Sequence, residues 1–151
     1  MDEFCELSLG LQAKILRAIE QKSFERLGSN KTIQADTRII AATNRDIEAL
    51  VRMGKFREDL YYRINVLRIH MPPLRERMEC IEPLAQYLLE KLSRSVKKKI
   101  DSFAPDVIEI FRQYSWPGNI RQLSNTIERA ILLEDDRVIR PQNISLPDFD
   151  N

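Results

Sequence analysis

The chain has 151 residues, 43% hydrophobic and 31% charged, with 24 basic against 23 acidic side chains and a net charge of +1. That length suits one ordinary domain or two small ones, the composition argues against a disordered or fibrous protein, and the charge balance sets up no global field for nucleic acid. Cys5 and Cys80 form no CxxC pair, which argues against a disulfide scaffold or a zinc site. With no apolar run near ~20 residues and no lysines at the N-terminus, a soluble protein of a reducing cytoplasm is expected, neither secreted nor membrane-embedded.

Ser8 stands before LGLQAKILRAIEQK, in which Leu9, Gln12, Ala13, Leu16 and Ile19 recur at helical spacing, so a first helix with Ser8 as N-cap is expected. SFERLGSNKTIQAD alternates around Gly28-Ser29-Asn30 and predicts a β-hairpin. Ile39 to Ala42 form an apolar run too short for a helix, which predicts a strand covered on both faces and ending at Thr43 and Asn44. Asp46 predicts the cap of a short helix that Gly54 stops, and REDLYYRIN predicts one or two further helical turns. VLRIH predicts a second buried strand, halted by Pro72-Pro73. His70 reads there as a packing residue at a strand end rather than a catalytic base, which leaves acid–base chemistry to carboxylates.

After PPLRER the period is helical throughout. Pro83 suits the first turn of a helix running toward Lys99, Pro105 opens a second with Val107, Ile108, Phe111 and Tyr114 inward, and Trp116-Pro117-Gly118 predicts a turn. Asn119 is then expected to cap a third helix whose stripe is Ile120, Leu123, Ile127, Ala130 and Ile131. The tail from Val138 is expected to be ordered only in part. Arg94 and Lys97 to Lys99 read as cations finishing a helix rather than as a nucleic-acid patch, since no aromatics are interleaved with them.

Three stretches, DEFCELSLGLQAKILRAIEQKSFERLG, TRIIAATNRDIEALVRMGKFREDLYYRINVLRIHMPPLRER and YSWPGNIRQLSNTIERA, resemble consecutive parts of the AAA+ ATPase domain of sigma-54-dependent bacterial transcription activators. The match runs from Asp2 to about Leu146, and FREDLYYRINV and WPGNIRQL are its most specific parts. The resemblance implies an α/β fold: a partial AAA+ core, from the end of the Walker B motif to the last core strand, over residues 1–73, then a small all-helical lid over 74–151. It implies ATP and Mg2+ as ligands and a ring-shaped homo-oligomer, a hexamer in the intact protein, in the bacterial cytoplasm. Sigma-54 RNA polymerase would be met through a segment outside these residues, DNA through a further domain, and a membrane not at all.

The resemblance also assigns residues. Asp2 and Glu3 correspond to the end of Walker B, the aspartate holding Mg2+ and the glutamate polarising the attacking water, the pairing that phosphoryl transfer needs. Read alone, two acids at a chain start are simply solvated. Asn44 resembles sensor I at the C-terminal end of a strand, where open α/β sheets place ligands; read alone it is an Asn in a turn. Arg57 and Arg63, about 9 Å apart along a helix axis, resemble arginine fingers that reach the neighbouring subunit's nucleotide. Read alone they form surface ion pairs, for instance with Glu58 or Asp59. Arg121 resembles sensor II, the nucleotide contact from the lid. Physically it is a cation at the positive end of a helix, a conflict that a nearby anion would remove; read alone it is a solvated arginine.

Phe4, Cys5, Gly10 and Cys80 depart from the family pattern, and the chain contains neither GxxxxGKS/T nor the GAFTGA loop. The leading expectation is therefore a segment of an activator ATPase, cut off before its phosphate-binding loop and without appreciable ATPase activity by itself. Two alternatives stand beside it: a non-catalytic AAA+ interaction module, and part of another AAA+ machine.

Overall fold

The computed structural model describes residues 4–25 and 31–147, and these divide between two compact units, Met1–Ile69 and His70–Asn151. The first unit begins with a single 3-10 turn, Phe4–Glu6, followed by α1, Leu9–Gln21. As expected, Ser8 caps α1, its Oγ accepting the Leu11 N–H at 3.4 Å. Beyond α1 the chain forms an antiparallel hairpin of β1, Ser23–Glu25, and β2, Thr32–Gln34, with Phe24 opposite Ile33; its expected turn at Gly28-Ser29-Asn30 lies outside the described residues. Helix α2, Ile47–Arg52, is capped by Asp46, whose Oδ1 accepts the Ala49 N–H at 3.0 Å, and α3 spans Glu58–Ile64. Ile15, Leu16 and Ile19 of α1 pack with Leu50, Val51 and Ile64 around the buried residues Phe4, Cys5, Phe56 and Leu60.

Two expectations for this unit need correction. Neither the Ile39–Ala42 segment nor VLRIH forms a strand. Ala41 packs against the core, but the large apolar side chains stand in solvent: Ile40 is 71% exposed, Val66 86%, Leu67 73% and Ile69 75%. An apolar run records what a segment's side chains favour, whereas a strand covered on both faces also needs flanking strands and two covering layers. The two-stranded β1–β2 sheet supplies neither. His70, accordingly, is exposed rather than packed at a strand end.

The second unit opens with 3-10 turns at Leu74–Glu76 and Met78–Cys80 and contains α4, Ile81–Val96; α5, Pro105–Gln113; and α6, Asn119–Leu133. α4 packs on α5 and α6 around Leu74, Ile81, Leu89, Phe111, Trp116 and Ile127, all fully buried. Trp116 is held edge-on to Phe111 and Tyr114, and its indole N–H donates to the Phe111 carbonyl at 2.7 Å, so a large apolar body is buried with its one polar atom satisfied. This unit is not all-helical: β3, Ser102–Phe103, pairs in parallel with β4, Val138–Ile139, tying the chain after α4 to the chain after α6. At two residues each, neither strand is long enough to display a two-residue period.

α4 ends at Lys97 in the left-handed conformation (φ 58°) rather than continuing toward Lys99. As expected, cations finish α4, with Arg94 in its last turn and Lys97 at its C-cap, while the Lys98 ammonium closes α6, donating to the carbonyls of Leu132 and Glu134 at 2.9 and 2.8 Å. The Glu134 side chain is itself buried, and its carboxylate accepts the N–H groups of Asp135, Asp136 and Arg140 and the Asn143 amide. Part of the tail is thereby ordered. Both cysteines are free thiols, and no helix among the described residues is long and apolar enough to cross a membrane.

Candidate functional site

Buried contacts present α3. α2 ends at Gly54, whose φ of +68° suits glycine and turns the chain so that the N–H groups of Lys55 and Phe56 both donate to the Leu50 carbonyl, at 2.9 and 3.1 Å. The turn sends the Phe56 ring into the core, where it meets Phe4 edge-on with ring centroids 5.5 Å apart. Arg57 follows as the N-cap residue of α3, with extended backbone and no side-chain cap. Its N–H is bound from α1: the fully buried Gln12 accepts it on Oε1 at 2.9 Å, while Gln12 Nε2 donates to the carbonyls of Leu7 at 2.8 Å and Lys55 at 3.2 Å. Because a buried polar group left unpaired costs roughly 1–3 kcal/mol, this fully used amide fixes where α3 begins.

The Arg57 guanidinium, in contrast, lies at the surface. Its Nε and Nη2 donate to Asp59 Oδ1 and Oδ2 at 2.9 and 2.5 Å, a two-pronged pair, and Asp59 Oδ1 also accepts the Leu60 N–H at 2.7 Å. The hydrogen bond to Asp59, followed by its charge, raises the Arg57 pKa above its ordinary value; the bond from Arg57 holds Asp59 below the usual carboxylate range. Arg57, Glu58, Asp59 and Tyr62 line an open depression. Arg63 stands exposed in the last turn of the same helix. Among the described residues the two arginines share no carboxylate, and the ion pair that the residues alone suggest is made by Arg57 with Asp59.

Asn44 is exposed, in the bend before Asp46. Beside it, Thr43 Oγ1 accepts the Arg45 N–H at 3.1 Å, and Arg45 pairs with Glu6 at 2.6 Å. This pair ties the chain next to Asn44 to the 3-10 turn that follows Asp2 and Glu3; those two acids themselves lie outside the described residues. Among the described residues no three His, Cys, Asp or Glu side chains gather for a metal ion.

In the second unit Arg121 is the third residue of α6, exposed, in a first turn that carries no acidic side chain. A cation there works against the helix dipole by ~0.3–1 kcal/mol. Asn119 does not cap this helix as expected. It is the first helical residue, at φ 50°, and Gly118 is the N-cap. The Asn119 side chain reaches back, its Oδ1 accepting the Leu74 N–H at 2.7 Å, while the Gly118 N–H donates to Gln122 Oε1 at 2.9 Å. A Cβ on Gly118 would lie 2.8 Å from the Gln122 Cβ, which explains the glycine.

Reading the residues alone missed Gln12 and Asn119 as tethers. The signal for Gln12 was its amide in the middle of the α1 apolar stripe, a polar group on the face that must be buried. No comparable signal marked Asn119, because a turn-to-helix Asn reads first as a cap.

Comparison with known proteins follows the same two parts. The model of the Sigma-54 interaction domain matches residues 1–70, and that of the AAA+ ATPase lid domain matches residues 75–148. Among curated relatives, the regulatory protein AtoC of Escherichia coli K12 is 46% identical over 95% of this chain and 31% of its own length. The formate hydrogenlyase transcriptional activator FhlA of the same organism is 49% identical over 99% of the chain and 21% of its own length. The chain thus spans a third or less of these relatives. In structure it superposes on NtrX from Brucella abortus, crystallised with ADP, with a TM-score of 0.85 at 33% identity, covering 96% of this chain and 34% of that one. The fold is a partial AAA+ core followed by a lid: residues 1–70 belong to the sigma-54 interaction domain family and residues 75–148 to the AAA+ ATPase lid domain family.

Proposed function

We propose that this chain is the C-terminal part of the ATPase module of a sigma-54 RNA polymerase activator, with its core over residues 1–73 and its lid over 74–151. Asp2 and Glu3 end the Walker B motif, Asn44 acts as sensor I, Arg57 and Arg63 reach the nucleotide of the neighbouring subunit, and Arg121 contacts the nucleotide from the lid. The observation that carries this reading is the division within Arg57: its backbone is pinned inside the fold by Gln12, while its guanidinium stands at the surface, held flat against Asp59. A cation that serves another subunit's phosphate must be anchored by its own fold and presented outward, and a planar guanidinium suits the charge spread over transferring phosphoryl oxygens.

The match of residues 1–70 to the Sigma-54 interaction domain supports the sigma-54 partner, and NtrX, crystallised with ADP and with ATP, supports the nucleotide. A ring-shaped homo-oligomer in the bacterial cytoplasm is part of this reading, because an arginine that reaches a neighbour's nucleotide needs a neighbouring copy. Asp2 would hold Mg2+, a hard cation that takes carboxylate oxygens as ligands. Bound there, the ion would supply positive charge against the nucleotide phosphates.

The test places this chain in an intact activator, in exchange for the aligned segment of AtoC. Arg57→Ala and Arg63→Ala are expected to keep ATP affinity and lose turnover by roughly 10³-fold or more, by analogy with other arginine fingers. Arg121→Ala is expected to weaken ATP binding itself. An Arg57→Ala protein with unchanged turnover contradicts the assignment, and an active-site-intact chimera that binds ATP without hydrolysing it favours a non-catalytic module.

A further inference from the structure

We propose that Gln12 is a positioning residue for the ATPase reaction, acting through Arg57; this rests on the reading of Arg57 as a group offered to the neighbouring subunit. Gln12 is fully buried in α1. Its amide makes three hydrogen bonds, to the carbonyls of Leu7 and Lys55 and from the N–H of Arg57. Those partners flank the places that matter. Leu7 follows the 3-10 turn after Asp2 and Glu3, and Lys55 and Arg57 bracket Phe56, the last buried residue before α3.

The consequence is geometric. Arg57 has no side-chain cap of its own, and among the described residues its guanidinium is paired with Asp59 of α3 alone. The pair with Asp59 sets how the guanidinium lies on α3, but it cannot fix where the start of α3 lies relative to the body of the unit. That position is set by the Gln12 bond to the Arg57 N–H, together with the Phe56 ring against Phe4. Without Gln12, the Leu7 and Lys55 carbonyls and the Arg57 N–H lose this partner, and the α2–α3 connection relaxes to find others. A shift of about 1 Å in a positioned group can cost on the order of 10²-fold in rate.

The experiment uses the same intact chimera with Gln12→Met, which keeps the volume and removes the hydrogen bonds, and Gln12→Glu, which keeps an oxygen acceptor for the Arg57 N–H. Gln12→Met is expected to lower kcat by roughly 10- to 100-fold with KM for ATP unchanged. Gln12→Glu is expected to retain more turnover than Gln12→Met, and Gln12→Met combined with Arg57→Ala is expected to be no slower than Arg57→Ala alone. Mixed with Glu3→Gln subunits, Gln12→Met should regain activity, because its own pocket is sound and its neighbour supplies a correctly held arginine. If Arg57→Ala is rescued in such mixtures and Gln12→Met is not, or if the double variant is slower than Arg57→Ala, the positioning role is wrong while the reading of Arg57 stands. If Arg57→Ala is not rescued either, the reading of Arg57 fails first. Hydrogen exchange on the 151-residue chain gives a readout independent of turnover: Gln12→Met should speed exchange of the Arg57 amide at least about tenfold while α6 amides stay protected, and unchanged Arg57 exchange overturns the proposal.

Discussion

The side-chain oxygen of Gln12 accepts the backbone N–H of Arg57 at 2.9 Å, across 45 residues of sequence. A bond of that span, made by a fully buried amide, carries stability as well as position. Replacing Gln12 with Leu leaves one N–H and two carbonyls without this partner, at roughly 1–3 kcal/mol for each group that water or relaxation does not rescue. The expected loss is about 2–4 kcal/mol, in the first unit alone. Urea denaturation followed by hydrogen exchange locates it; equal loss in α4 to α6 would mean that the effect is not local.

The Arg57–Asp59 pair makes a prediction about acid. Asp59 is held below the usual carboxylate range, so whatever the pair contributes is fully present above the ordinary Asp pKa of about 3.9 and is lost as pH falls through the depressed folded value. Arg57 stays charged throughout and does not open a second window. NMR titration of the Asp59 carboxyl carbon is expected to show a midpoint below the ordinary Asp value of about 3.9, and Arg57→Ala should move it up. A midpoint unaffected by Arg57→Ala would show that the pair is not formed in solution.

Glu134 is expected to be the most sensitive charged residue of the second unit. Its buried carboxylate accepts three backbone N–H groups and the Asn143 amide. Glu134→Ala leaves those donors without this partner and should cost roughly 3–5 kcal/mol, whereas Lys98→Met, which removes the cation from the end of α6, should cost only about 0.3–1 kcal/mol. Thermal melting of the two variants checks the ranking, and a Lys98 effect as large as that of Glu134 would contradict it.

The exposed apolar row of Val66, Leu67, Ile69 and Met71 predicts how the chain behaves by itself. Large apolar side chains this exposed, with only Arg68 and His70 between them in sequence, favour burial against another surface. The isolated chain is expected to self-associate, with sedimentation coefficients that rise with concentration. A monodisperse, cooperatively melting monomer would show that the row is tolerated in water.

These features divide by how local their causes are. The caps at Ser8 and Asp46, the stop at Gly54 and the amphipathic stripes of α4 to α6 were readable from the sequence because each depends on residues within a turn or two of chain. The Ile39–Ala42 and VLRIH segments were misread because a buried strand depends on neighbours that periodicity does not encode. Gln12, Asn119 and Lys98 escaped for a related reason. Each satisfies a backbone group between 34 and 45 residues away, and residue type alone does not name so distant a partner.

The central claim, that Arg57 and Arg63 serve the neighbouring subunit while Arg121 serves its own, is tested most directly by ATP turnover in assemblies mixed from two inactive proteins. An Arg57→Ala subunit has an intact pocket and lacks the donated cation; a Glu3→Gln subunit has a disabled pocket and an intact arginine. Mixing them should restore turnover, with a maximum at intermediate ratios, and Arg63→Ala should behave in the same way. Arg121→Ala mixed with Glu3→Gln should stay inactive, because every pocket in that mixture carries a lesion. If Arg57→Ala and Arg63→Ala stay as inactive as Arg121→Ala at every ratio, neither arginine acts across a subunit boundary, and the Arg57–Asp59 pair is a structural ion pair of α3.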